Sequence, residues 1–454
     1  MPSLIQKLKN IINNQKFIDD HKESLKDFSR KRALSFSTLV SFLLNMNKGS
    51  YQTELDQFFR AQNRADVATQ VVTKGALSKA RKKLKHSAFI DLNQRMIEEY
   101  EGGFPIETWN DFHLLAVDGS TATLPDEEGI VEHFGVWKPN KGKPCPKARL
   151  SQMFDVLNRV TVDAIISPKG RGERDLAATH FMELMPNDLV LLDRGYPAFW
   201  LFQVILSMNA NFCARMPISR WEVVQKFRES GKKEKKVRLR ATHDSAKKCK
   251  EMGLETDPIT VRLIRIELDT GETEVLATTL LDKNRYPYDI FGDLYHKRWA
   301  VEEDYKIMKC RIEIENFTGK SVRSVYQDFH ARVFSKNLSA IIANSVKSVI
   351  EEKTAHRKHV YQINMTQMLS TMKHALALLF IRSYEEVTKI VSDIQKTICQ
   401  RVEAVRPGRS FPRNHKINKK KSWVCTWLLL PLYIVLALKW KIVRLFMLFF
   451  YHVL

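Results

Sequence analysis

A chain of 454 residues with 44% hydrophobic and 27% charged residues has the balance of a folded protein of several domains, which excludes a wholly disordered chain. Lys and Arg total 73 against 51 Asp and Glu, a formal net charge of +22 with a pI near 9.6. This excess concentrates polyanions, nucleic acid foremost and an anionic membrane surface next. The six cysteines lie far apart with no C-x-x-C pair, which excludes a disulfide framework and a thiolate zinc site and fits a reducing cytoplasm.

The N-terminus, MPSLIQKLKN, lacks the continuous apolar core of a signal peptide. Residues 1 to about 105 read as helical, with Leu39, Val40, Leu43 and Leu44, then Leu55, Phe58 and Phe59, at helical spacing. This predicts a small separate N-terminal domain. Within it, KGALSKARKKLKHSAF gathers Lys79, Arg81, Lys82, Lys83 and Lys85 beside Ala76, Leu77, Ala80 and Leu84. Such a helix can lie against DNA phosphates, and it can equally be a solvated face.

From about residue 110 the texture changes to strands. HLLAVDGS, RLSQMFDVL and RVTVDAIIS are short apolar or alternating runs, followed by a helical DLAATHFMELM and a further strand in DLVLLDRGY. The order predicts an α/β core over 106–320. Between about 215 and 285, the charge run KKEKKVRLR and the strands TVRLIRIEL and TEVLATTLL around DTGE predict a β-rich insertion. Arg238 and Arg240 alternate with Val237 and Leu239, so one strand face is basic, either to grip DNA or to protect an edge.

The stretch YHKRWAVEEDYKIMK, Tyr295 to Lys309, carries three acids in a row. On one continuous helix with Tyr295 at zero, Arg298 falls at about −60°, Glu302 at about −20° and Lys309 at about −40°. These four share a face, Glu303 stands to the side, and Asp304 falls awkwardly among the apolar Ala300, Val301, Ile307 and Met308. Geometry therefore selects Glu302, for which an ion pair with its basic neighbours is the plainer alternative.

Two aspartates stand in matching contexts. Asp118 closes HLLAVD before Gly119, and Asp193 closes LVLLD before Arg194 and Gly195, each expected at the carboxyl end of a strand where side chains converge on a cleft. An N-cap or turn role is the alternative for either taken singly. Three carboxylates offer hard oxygen ligands suited to Mg²⁺ or Mn²⁺, and two such ions about 4 Å apart serve phosphodiester chemistry. Arg298 and Lys309 would then face phosphates, and Tyr295 would donate to one or stack on a base. Trp299 and Trp221 are candidate stacking platforms, although a tryptophan is as readily core. A glycosidase is disfavoured, since the basic surroundings suit polyanions rather than neutral sugars.

Filled in this order, Y-x-x-R-x-x-x-E-x-x-x-x-x-x-K at Tyr295, Arg298, Glu302 and Lys309, VDGST around Asp118 and LLDRGYP around Asp193 resemble the bacterial insertion-sequence transposases of the "insertion sequence four" type, within the DDE superfamily. SQMFDVLN, RGERD and FCARMP resemble its intervening segments, and the resemblance spans roughly residues 30 to 415. It implies an RNase H-like core with a β-rich insertion, flanked by an N-terminal helical DNA-binding domain and C-terminal helices over 321–405. It implies metal binding by Asp118, Asp193 and Glu302, and phosphate contacts by Tyr295, Arg298, Lys309 and Arg215; the basic helix of the N-terminal domain adds Lys79, Arg81 and Lys82 as candidate DNA contacts. A homodimer on double-stranded DNA, two Mg²⁺ or Mn²⁺ ions, and cut-and-paste transposition in the cytoplasm at the nucleoid complete the expectation. His133, Asp155 and Glu173 fall near the site by motif, with no assigned role. The rival class is a transposase-derived DNA-binding protein without catalysis, which would not need the carboxylates; a junction resolvase would share the chemistry without the Tyr295 to Lys309 signature.

The family more commonly ends soon after a basic segment such as the linker at 406–422, whereas here an apolar tail continues over 423–454. Its uncharged run from Trp423 to Leu438 falls slightly short of the ~20 residues that span a bilayer. A frameshift or read-through product is the expectation, with a membrane anchor the alternative.

Overall fold

The computed structural model describes residues 1–45, 49–138, 143–268 and 271–406. The apolar tail, and the basic linker beyond Arg406, lie outside the described residues. No helix among the described residues is long and apolar enough to cross a membrane.

The chain opens with helices α1 (Pro2–Asn13), α2 (Gln15–His21), α3 (Phe36–Leu43), α4 (Tyr51–Asn63), α5 (Lys74–Arg81) and α6 (Ser87–Gly103). Side-chain caps from Asn14, Ser35 and Thr73 take up the free amides that begin α2, α3 and α5. In α1, Leu4, Ile5, Leu8 and Ile12 recur at helical spacing and are buried.

The strands follow as β1 (His113–Thr123), β2 (Val136–Trp137) after helix α7 (Glu128–Phe134), β3 (Cys145–Asp155) and β4 (Val160–Ser167). Helix α8 (Glu173–Phe181) leads to β5 (Asp188–Leu192), and α9 (Phe199–Ser207) leads to β6 (Asn211–Arg215). β1, β5 and β6 are parallel, and β3 runs antiparallel between β1 and β4. After α10 (Glu222–Glu229), β7 (Glu234–Leu239), α11 (His243–Glu251), β8 (Ile259–Glu267) and β9 (Thr273–Thr278) form an antiparallel meander. β9 pairs antiparallel with β6, so the segment expected as an insertion prolongs the sheet: the order is β2-β3-β1-β5-β6-β9-β8-β7, with β4 on β3.

The central strands are apolar throughout because both faces are covered. Leu114, Ala116, Leu189 and Leu191 enter one core, and Leu115, Val117, Val190 and Leu192 enter the other, against α8 and α9. The first core also takes in the N-terminal helices and α12 (Ile290–His296), α13 (Trp299–Cys310) and α14 (Val322–Asn344). It continues into α15 (Lys347–Thr354), α16 (Met365–Ile381) and α17 (Tyr384–Gln400). Met1–Val405 is one compact unit, so the boundary expected near residue 105 does not interrupt the core.

Candidate active site

Register brings the two aspartates together. Val117 and Leu192 are the last pair of the parallel β1/β5 ladder, and Leu192 also pairs with Ala214 of β6. Asp118, Asp193 and Arg215 are therefore the next residues on three neighbouring parallel strands, about 4.8 Å apart in the hydrogen-bonding direction. Asp193 lies just beyond the end of β5, as its turn context implied. Asp118 differs: β1 runs on to Thr123, because β3 alone continues to pair with it from Asp118↔Gln152 to Thr123↔Lys147.

The Tyr295 to Lys309 stretch is two helices rather than one. α12 ends at His296 and α13 begins at Trp299, with Lys297 and Arg298 keeping right-handed helical angles in a tightened turn that contains an Arg298 N–H to Tyr295 carbonyl bond of 3.1 Å. Each helix is tied to one of the strands that present the aspartates. The Tyr295 hydroxyl donates towards Asp193 Oδ1 (3.4 Å) and the Leu192 carbonyl (3.5 Å), and the Tyr305 hydroxyl donates to the Asp118 carbonyl (3.0 Å).

The three consecutive acids have three environments. Glu302, with its side chain 35% exposed, accepts from the Arg298 guanidinium at 2.8 Å. Glu303, 57% exposed, lies 3.3 Å from Arg159. Asp304 is buried in an ion pair with Lys336 Nζ at 2.8 Å, which explains an acid on the apolar face of the helix.

Burial pushes the Asp118 carboxyl up to about 6. The Gly119 amide and Arg298 pull it down, and the charges of Glu302 and Asp193 push it up, so the three carboxylates act on one another. Tyr196 and Tyr305 are raised well above the usual phenol range by burial and by Asp118, with Glu173 also acting on both. The Tyr196 hydroxyl and Arg298 Nε are buried without a hydrogen-bond partner. Glu173 reaches the site by packing on Gly119, where an added Cβ would stand 3.4 Å from its carboxyl carbon. It also accepts from Arg149 at 2.7 Å.

All-oxygen donors and charge that Arg298 only partly offsets fit hard divalent cations. Among the described residues, no three His, Cys, Asp or Glu side chains already converge closely enough to hold an ion, and Glu302 is turned onto Arg298.

Other expected positions fall differently. Arg81 is only 5% exposed and is not on the surface with the exposed Lys79 and Lys82. Its guanidinium binds Asp328 (2.8 Å), Gln327 (2.8 Å) and the Ser324 carbonyl (3.0 Å), which makes it a tie between α5 and α14 rather than a phosphate contact. Asp155 sits opposite Leu115, at the amino end of the ladder, and binds His113 at 2.6 Å. His133 meets the Tyr326 hydroxyl at 3.1 Å. Lys309 is half-buried in the last turn of α13. Trp221 packs against Phe202, whereas Trp299 is exposed beside Arg298. Tyr196, Tyr305 and Arg149 were not singled out from the sequence, whereas Glu173 was expected near the site by its motif without a role. Tyr305, three residues after Glu302, carried a legible signal in its helical spacing.

Residues 109–338 match the family model described as a transposase DDE domain. The match spans more than half of the chain, which therefore belongs to the DDE transposases, enzymes that cleave DNA and transfer strands. The chain is 22% identical over 405 residues to the transposase InsG for insertion sequence element IS4 of Escherichia coli (strain K12), covering 87% of each chain. Among solved structures it is similar to a piggyBac transposase in a synaptic complex with hairpin DNA, with a TM-score of 0.46, 9% identity and coverage of 89% of this chain and 87% of that one.

Proposed function

We propose that this chain moves its own insertion sequence by cut-and-paste transposition, with Asp118, Asp193 and Glu302 as the catalytic carboxylates. One observation carries the reading. Asp118 and Asp193 stand side by side just past the β1/β5 ladder, and Tyr305 ties the helix bearing Glu302 to Asp118 itself. The strand order β4-β3-β1-β5-β6, with β3 antiparallel and helices between the parallel strands, supports an RNase H-like core.

The three carboxylates would hold two Mg²⁺ or Mn²⁺ ions. Bound there, such ions supply activation of a water or a DNA 3′-hydroxyl and stabilisation of the leaving oxygen in in-line attack on a phosphodiester. Arg298, buried against Tyr295 and Glu302, would offer its guanidinium fork to phosphate oxygens, with Glu302, its present partner, among the residues that would hold the ions. Tyr295 holds Asp193 in place. Arg215, 4.0 Å from Asp193, and Lys309 contact flanking phosphates. Lys79 and Lys82 hold duplex DNA from the N-terminal helices. The partner is double-stranded DNA carrying the element ends, bridged by a homodimer in the cytoplasm at the nucleoid.

The test is incubation of a duplex carrying the element's own ends with wild type, Asp118→Asn and Asp193→Asn, in Mg²⁺ and in a chelator. Nicking at the element boundary by wild type alone, and only with the ion, is expected. Cleavage by either variant at the wild-type rate overturns the assignment.

A further inference from the structure

Beside Asp193 lies a cavity of about 510 Å³ in which, of the lining residues, only Arg215 has an assigned role. Its wall includes Arg194, Arg215 and Arg228 with the polar Ser219 and Gln225, over a floor that includes the buried Met216 and Val275. Arg215 is paired with Glu274 at 2.8 Å. Arg194 and Arg228 are exposed and have no carboxylate partner among the described residues, and Glu229, the other acid of the wall, is exposed. Arg174, which donates Nε–H to the Gly195 carbonyl at 3.0 Å, brings a further guanidinium to the Asp193–Gly195 turn. Burial and the neighbouring Arg220 hold Arg174 below its usual range, so like charges are crowded here. That crowding costs free energy which a polyanion offsets.

We propose that this cavity binds the phosphodiester backbone of the DNA strand next to the scissile phosphate, with Arg194 and Arg228 making the contacts. The proposal rests on the catalytic reading above and extends it to the path of the strand. A scissile phosphate over Asp118 and Asp193 has its neighbours one or two nucleotides away, each step about 3.4 Å of rise along a strand. Arg194 follows Asp193 in the chain and Arg215 stands beside it in register, so the cavity opens where those phosphates pass. Arginine forks bind phosphate bidentately, and two unpaired ones supply such contacts without breaking an existing ion pair.

The test uses the full chain with Arg194→Gln, Arg228→Gln and the double variant, on a duplex carrying the element end. Affinity is measured against salt, and again with single methylphosphonates placed through the phosphates flanking the scissile bond. Both side chains are exposed, so melting temperatures are expected to match wild type. Each variant is expected to lower the slope of log affinity against log salt by about 0.7 to 0.9. The double variant is expected to lose the sensitivity to a flanking methylphosphonate that wild type shows. Arg194→Lys is expected to keep the slope while losing affinity. A folded double variant with the wild-type slope and the wild-type methylphosphonate sensitivity overturns the site and leaves the catalytic reading intact. A wild type that binds no duplex overturns both.

Discussion

Asp118→Asn removes a charge that the fold holds at a cost. The carboxyl rises from an ordinary 3.8 to about 6, first because it is buried and then because Glu302 and Asp193 crowd it. A raised carboxyl binds its proton more tightly in the folded state, so its contribution to stability is most favourable below pH about 4 and is lost as pH rises towards 6. A shift of about two units corresponds to about 3 kcal/mol, felt in full above pH 6. Asparagine keeps the shape, and the Tyr305 bond goes to the backbone carbonyl, which the variant retains. In a chelator at pH 7.5 the variant is therefore expected to melt a few degrees above wild type. The gap is expected to close by pH 4. Mg²⁺ is expected to narrow it at pH 7.5 by stabilising wild type alone. The assay is thermal denaturation of both proteins across that pH range. A variant no more stable than wild type at pH 7.5, or a gap of the same size at both ends of the range, would refute the reasoning.

Other residues give sharper contrasts. Arg81→Ala takes the Arg81 ion pair from the buried Asp328, a loss of about 3–5 kcal/mol in chemical denaturation. Lys79→Ala and Lys82→Ala are expected to change stability by less than about 0.5 kcal/mol while each flattens the salt dependence of DNA binding by about 0.9. At His113, burial opposes the charge, but the hydrogen bonds and charges of Asp155 and Asp188 override it and raise the ring to about 10. Its stabilisation is thus full below pH 6.5 and lost as pH rises through about 10. His113→Leu is expected to be less stable at neutral pH and to lose that alkaline dependence, as followed by melting temperature against pH.

Local patterning made the strands that carry Asp118 and precede Asp193 legible, because LLAV and LVLL are buried on both faces and so read as unbroken apolar runs. The spacing singled out Glu302, and the structure brings it onto Arg298 at 2.8 Å although the helix is interrupted at Lys297 and Arg298, both of which keep helical angles. The misreadings depend on distant partners. Arg81 looked like a surface cation because Asp328 lies 247 residues further on, and Asp304 looked misplaced because Lys336 is on another helix. The extension of β1 past Asp118 depends on β3, which the composition of β1 does not reveal. Tyr196 reaches the carboxylates only through the packing of the turn after β5, which no spacing along the chain encodes, whereas Glu173, expected near the site by its motif, arrives there by packing on Gly119.

The most direct test of the central claim separates neighbouring acids by cleavage of a duplex carrying the element's ends in Mg²⁺, comparing wild type, Glu302→Gln and Glu303→Gln. Glu303 is an exposed partner of Arg159, whereas Glu302 shares an electrostatic site with Asp118. Nicking at the element boundary by wild type and Glu303→Gln, with Glu302→Gln binding the duplex but leaving it uncut, is the predicted result. Cleavage by Glu302→Gln at the wild-type rate would contradict the account.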